Sequence, residues 1–123
     1  MITCSSDHLI KIWDSKTLKK ISILKHHKNW VYSISFSPCG NYLISSSEDN
    51  STIIWDYKTY SFLKMIKDST EVYTSCFSSD GKRIITGGED KMIKIWDMYT
   101  LAETKKFLAH EQPIRLIIFS PDN

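Results

Sequence analysis

Apolar residues in this chain fall in short runs that alternate with polar positions and stop at turn-forming clusters. WVYSISFS (Trp30–Ser37) and EVYTSCFS (Glu71–Ser78) are rich in β-branched and aromatic residues, the composition that suits a pleated, half-buried strand. YLISSS (Tyr42–Ser47), STIIWD (Ser51–Asp56) and YSFLKMI (Tyr60–Ile66) follow, each too short for a helix and each bounded by turn chemistry. Between them, SPCGN (Ser37–Asn41) and SSDGK (Ser78–Lys82) supply the Gly or Asn that a tight hairpin needs for positive φ. No segment carries a helical period. The pattern predicts an all-β chain of short antiparallel strands.

The strands recur as a unit. Trp13, Trp55 and Trp96 stand 42 and then 41 residues apart, in KIWD (Lys11–Asp14), IIWD (Ile53–Asp56) and KIWD (Lys94–Asp97). FSPCG (Phe36–Gly40), FSSDG (Phe77–Gly81) and FSPDN (Phe119–Asn123) keep the same period. Asp7, Asp49 and Asp90 each precede a tryptophan by six residues, and Thr3, Ser45 and Thr86 precede those aspartates by four. Asp14, Asp56 and Asp97 each open a D-x-x-T turn, where a short carboxylate can accept from backbone N–H groups ahead of it. So many matches at one period mark an internal repeat, with units at about 1–23, 24–65, 66–107 and 108–123. Each complete unit predicts four strands. MITCSS (Met1–Ser6) reads as a second strand, full sets run about Asn29–Ile66 and Thr70–Leu108, and PIRLIIFS (Pro113–Ser120) reads as one further first strand. The expected total is twelve strands.

Three W-D dipeptides, three F-S-x-x-G/N turns and D-x5-W spacing throughout resemble the WD-repeat β-propellers, whose blades are four-stranded sheets around a central channel. The resemblance extends over the whole chain. It implies a buried network of His, Ser/Thr, Asp and Trp in each blade, complete here once, as His27, Ser45, Asp49 and Trp55. Tryptophan brings a large apolar body with one N–H that must be satisfied when buried. A serine hydroxyl can accept that bond and donate another, and a fully satisfied network fixes register where a half-satisfied one is costly. The family's Gly-His pair departs to His26–His27 and to Ala109–His110. In the unit of Thr86, Asp90 and Trp96, Asp68 stands at the histidine position, so two carboxylates are expected close together. Thr3, Asp7 and Trp13 have no upstream histidine.

Other chemistry is weighed against this repeat. A Ser-His-Asp set that recurs with the period reads as structure rather than as a nucleophile and its base. His8, His26 and His27 lack metal-ligand spacing, and GKRIITGG (Gly81–Gly88) lacks the order of a phosphate loop. Cys4, Cys39 and Cys76 are odd in number with no C-x-x-C pair, and so read as reduced thiols of an intracellular protein, cytoplasmic or nuclear. The first residues lack a signal peptide's basic and apolar regions, and no run approaches the roughly 20 apolar residues of a membrane span. Asn50–Thr52 fits a glycosylation sequon and reads as a polar turn. A net charge of +2, with both signs interspersed, gives little reason to expect nucleic acid or a membrane surface as partner. No cofactor, no metal and no enzyme activity are expected.

A propeller closes with four to eight blades. The favoured reading is therefore a piece of a longer WD-repeat chain; the alternative is a two-chain, six-bladed ring in which one copy's last strand completes the other's first blade. The resemblance implies a protein-interaction scaffold whose partners dock on one face. Its ligand-facing positions fall on Trp30 and Tyr32, Glu71 and Tyr73, Pro113 and Arg115, with Ser6, Glu48 and Glu89 beside the turn aspartates. Aromatics and arginine are enriched at interface hot spots, and the glutamates favour a partner segment carrying Lys or Arg. Trp30→Ala and Tyr73→Ala are expected to abolish partner capture without lowering Tm. The competing functional reading is a subunit or domain of an enzyme complex with its catalytic groups elsewhere.

Overall fold

A computed structural model describes residues 1–120. They form eleven strands: β1 (Ile2–Cys4), β2 (Leu9–Trp13), β3 (Lys20–Lys25), β4 (Val31–Phe36), β5 (Tyr42–Ser47), β6 (Ser51–Asp56), β7 (Ser61–Lys67), β8 (Val72–Phe77), β9 (Arg83–Gly88), β10 (Met92–Asp97) and β11 (Glu103–Leu108). Each strand pairs antiparallel with its chain neighbour, giving blades β1-β2-β3, β4-β5-β6-β7 and β8-β9-β10-β11. These match the expected three-, four- and four-strand units. The twelfth strand does not form. Residues 113–120 lie beside β8 and β9 without a ladder of their own, and a strand exists only in a ladder. Residues 121–123, which close the predicted FSPDN turn, lie outside the described residues.

The blades stack face to face. Ile10, Ile12 and Leu24 of the first blade pack on Val31, Leu43, Ile53 and Trp55 of the second. On the far side of that sheet Ile44, Ile54 and Ile66 pack on Phe77, Ile84 and Trp96 of the third. The middle blade is covered on both faces, and β6 is buried at its first five positions, Ser51 and Thr52 included, whereas the outermost strands β7 and β11 are largely exposed.

Turn geometry repeats with the sequence. Gly40 and Gly81 take φ of 71° and 69°, as the two hairpin turns require. The positive-φ positions that follow Asp7, Asp49 and Asp90 are filled instead by His8, Asn50 and Lys91. Ladder irregularities repeat too. Register shifts just before Trp13, Trp55 and Trp96. At the start of β4, Val31 pairs with Ser47 and Ser33 with Ser46, so Tyr32 is left over. At the start of β8, Val72 pairs with Gly88 and Thr74 with Gly87, so Tyr73 is left over. Bulges of this kind bend the strand and re-aim a side chain. Here they take two tyrosines out of the ladder at equivalent places in successive blades.

Candidate functional site

The predicted network of the second blade is assembled in full. Trp55 Nε1–H donates to Ser45 Oγ at 2.9 Å, and Ser45 Oγ lies 2.7 Å from His27 Nε2. His27 Nδ1 is 3.0 Å from Asp49 Oδ2. Donor counting assigns the protons: Ser45 accepts from tryptophan and donates to Nε2, leaving Nδ1–H to donate to Asp49. Asp49 also accepts from the Lys28 and Ser51 N–H groups and from the Ser51 hydroxyl. Burial opposes its ionisation, but bonds from His27, Ser51 and the Lys28 N–H outweigh burial and hold the carboxyl well below the usual range. Ser45 is fully buried, with its oxygen already committed to two partners. A nucleophile needs substrate access, and this serine has none. Ser51 and the Lys28 N–H are members that sequence reasoning missed; the D-x-S spacing of Asp49 and Ser51 was the available signal for the first.

The other two networks are built differently. Trp13 Nε1–H donates to Thr3 Oγ1 at 2.9 Å, in an exposed setting. Asp7 accepts from the Leu9 N–H at 3.1 Å and from Lys11 Nζ at 2.8 Å. In the third blade Trp96 Nε1–H donates to Thr86 Oγ1 at 2.9 Å, and Asp68 and Asp90 do converge. Between them sits Lys94, whose ammonium bonds both carboxylates while only 8% of its side chain is exposed. Burial works against the charge, but Asp68 and Asp90 more than offset it and push the ammonium pKa up. Lys94 falls at the position of buried Ile53, so the residue before Ile-Trp-Asp carried the signal that sequence reasoning passed over. A lysine from β10 thus replaces a histidine that the preceding loop lacks. His110 is exposed and makes no hydrogen bond among the described residues, so its predicted place in a network is not filled there.

The D-x-x-T turns close as expected. Asp14 accepts from the Thr17 N–H at 2.7 Å, and Asp56 and Asp97 from those of Thr59 and Thr100 at 2.8 Å. In all three, that backbone bond leads the causes holding the carboxyl pKa down.

The proposed docking residues fall into one cluster and several outliers. Tyr32 and Tyr73, lifted from their ladders, meet edge to face with ring centroids 5.1 Å apart. The Tyr73 hydroxyl donates to Glu89 Oε2 at 2.6 Å, while the Tyr32 hydroxyl points at Glu71 Oε2 from 3.5 Å. The Glu89 bond, then burial and nearby Glu71, push the Tyr73 phenol above its ordinary range. Burial, then Glu48 and Glu71, do the same to Tyr32. Arg115 places its guanidinium carbon 4.0 Å from the Tyr73 ring centroid. Trp30 lies apart, 50% exposed on the loop before β4, while Ser6 and Pro113 are at the rim without a bond to the cluster. Tyr73 itself is only 9% exposed, so Tyr73→Ala would open the core and is no clean probe of docking.

Gly88 secures the cluster. A Cβ there would lie 2.0 Å from the Glu71 carbonyl oxygen, so only glycine lets the chain before β8 cross so near. Gly87 lets Ile114 and Ile117 seat; their side chains would come within 2.9 Å of its Cβ. This close approach is the role of the glycine pair in GKRIITGG.

Stacked four-stranded blades latched by Trp, Ser/Thr and Asp define this chain as part of a β-propeller. The sequence comparison agrees: residues 18–56 and 61–97 match the family described as WD domain, G-beta repeat. The chain belongs to that family. It is 36% identical over 64 residues to ribosome assembly protein 4 of Saccharomyces cerevisiae, covering 51% of this chain and 12% of that protein. It is 39% identical over 70 residues to nuclear distribution protein PAC1 of Ajellomyces capsulatus, covering 56% of this chain and 15% of that protein. A WD40 repeat-containing protein of Dictyostelium discoideum is 41% identical over 64 residues, or 50% of this chain and 10% of that protein. The match thus spans less than a sixth of each relative's length. No described helix is long and apolar enough to cross a membrane.

Proposed function

We propose that this chain is a non-catalytic docking element that works as part of a longer WD-repeat protein and holds partner segments on one propeller face. The observation that carries the reading is the cluster of Tyr32, Tyr73, Glu71 and Glu89, built at bulges that serve no pairing purpose. Aromatic bodies with acceptor rims suit a peptide bearing Lys or Arg. Trp30 and Glu48 extend the surface outward, Trp30 half exposed and Glu48 tied to it by a backbone bond from its own N–H to the Trp30 carbonyl at 3.0 Å. Relatives named for ribosome assembly and for nuclear distribution favour an intracellular setting, cytoplasmic or nuclear.

The test compares Trp30→Ala and Glu48→Lys with the parent chain, by capture of partners from a lysate and by thermal melting. Loss of the same captured proteins at unchanged Tm is the expected result. Full capture by both variants would end the assignment of this face.

A further inference from the structure

Three repeat-equivalent residues, Tyr32, Tyr73 and Arg115, touch in sequence at the rim. The first two are the left-over residues of their bulges. The third follows Ile114, whose N–H bonds the Gly88 carbonyl at 3.0 Å. Two tyrosines stack edge to face, and the third position supplies a cation over the ring of Tyr73. The ring is well prepared for one. Its hydroxyl donates to a carboxylate, which pushes electron density into the π system, and its own burial removes competing water.

Arg115 is a poor permanent occupant. It is exposed, and no carboxylate lies within ion-pair distance of it among the described residues, although Glu71 and Glu89 both border the ring. Beside the Ile114 bond, Ile117 N–H bonds Thr74 Oγ1 at 3.1 Å, and neither tether involves the Arg115 side chain. An exposed cation–π contact contributes about 0.5–1 kcal/mol. Arg115 therefore covers the ring without pairing to either glutamate that borders it, Glu71 or Glu89.

We infer that the face of Tyr73, rimmed by Glu71 and Glu89, is a seat for the arginine of a partner peptide, and that Arg115 fills it in cis until a partner displaces it. This rests on the docking reading above and adds the ligand group and its internal competitor. Arginine is the fitting cation because its planar guanidinium stacks on a ring while its edge remains free to meet carboxylates.

The experiment titrates the full chain with a heptapeptide of glycine, serine and alanine carrying one central arginine, followed by NMR of the tyrosine ring protons. The same peptide with citrulline, neutral and nearly isosteric, is the control. The arginine peptide should bind at least fivefold tighter than its citrulline twin, and Glu89→Gln should narrow that gap. Arg115→Ala and Arg115→Gln should each tighten arginine-peptide binding about two- to fivefold, the release of one exposed cation–π contact. Unchanged or weaker binding in both Arg115 variants, with arginine still preferred by the parent, overturns the internal competitor and leaves the docking face standing. No preference for arginine over citrulline in any chain overturns the seat itself, while capture by way of Trp30 and Glu48 remains a separate measurement.

Discussion

At the scale of single residues, the tryptophans share one hydrogen bond and differ in what surrounds it. Trp55 and Ser45 are buried, so losing the indole N–H strands a serine oxygen that water cannot reach. Trp55→Phe should cost about 1–3 kcal/mol in urea unfolding for that polar loss alone. Trp13 donates to a threonine in an exposed setting, where water can take over, so Trp13→Phe should cost clearly less. Equal losses would show that aromatic volume matters and the bond does not. Lys94 makes the converse case. Removing it as Lys94→Met leaves Asp68 and Asp90 facing each other under cover, a change worth about 3–5 kcal/mol at pH 7. Lys94→Arg, which keeps the charge, should lose less than Lys94→Met in urea unfolding. Equal losses in the two variants would mean that the fit of the lysine, not its charge, is what the site needs.

Among the elements, the repeat shows two ways to tie a loop to the turn two strands on. The second blade uses an imidazole from the loop before β4, and the third uses an ammonium from β10. Asp68 and Lys94 thus act as one exchange for the His27 and Ile53 pair. Asp68→His and Lys94→Ile should each destabilise alone, while the double variant should lose less than the sum of the two losses, by about 0.5–3 kcal/mol in a double-mutant cycle. Strict additivity would separate the two positions. The crossing of the chain over Gly88 is equally local. Gly88→Ala forces a methyl against the Glu71 carbonyl and should cost about 1–3 kcal/mol by thermal unfolding, displacing Glu71 from the tyrosine cluster. An alanine variant with wild-type stability would mean the backbone there yields freely.

For the molecule as a whole, stability should be a plateau with an acid and an alkaline flank, to which buried groups of different blades contribute. Asp49 has its folded pKa held below the ordinary 3.8, so its contribution is present above that value and is lost as pH falls through the folded one. Lys94 has its folded pKa raised above 10.5, so its contribution is present below that value and is lost as pH rises through the folded one. Unfolding free energy measured from pH 2 to 12 should therefore fall on both sides. Asp49→Asn should make only the acid flank shallower, because Asp14, Asp56 and Asp97 are also held low in the fold. An acid flank unchanged in Asp49→Asn would remove His27 and Asp49 as its source.

Strand order, the two full blades and the complete His27 set were legible in the sequence because each depends on local chemistry repeated at a fixed period: alternation, turn residues and W-D spacing. The forward bonds of Asp14, Asp56 and Asp97 were legible for the same reason, since donor and acceptor lie within three residues. Lys94 between Asp68 and Asp90 was not, because its partners come from another loop 26 residues away and a neighbouring turn. Nor was the Tyr32–Tyr73–Arg115 contact, which needs two bulges in register, two blades placed side by side and the chain after β11 laid against the second. The failure of residues 113–120 to pair belongs here as well, since apolar β-branched sequence prepares a strand but only a neighbouring strand completes one. By itself, then, the sequence determined the blades, through short-range periodicity; the tertiary structure alone decided which charges are buried together and which side chains meet at the rim, because those depend on the distance between blades.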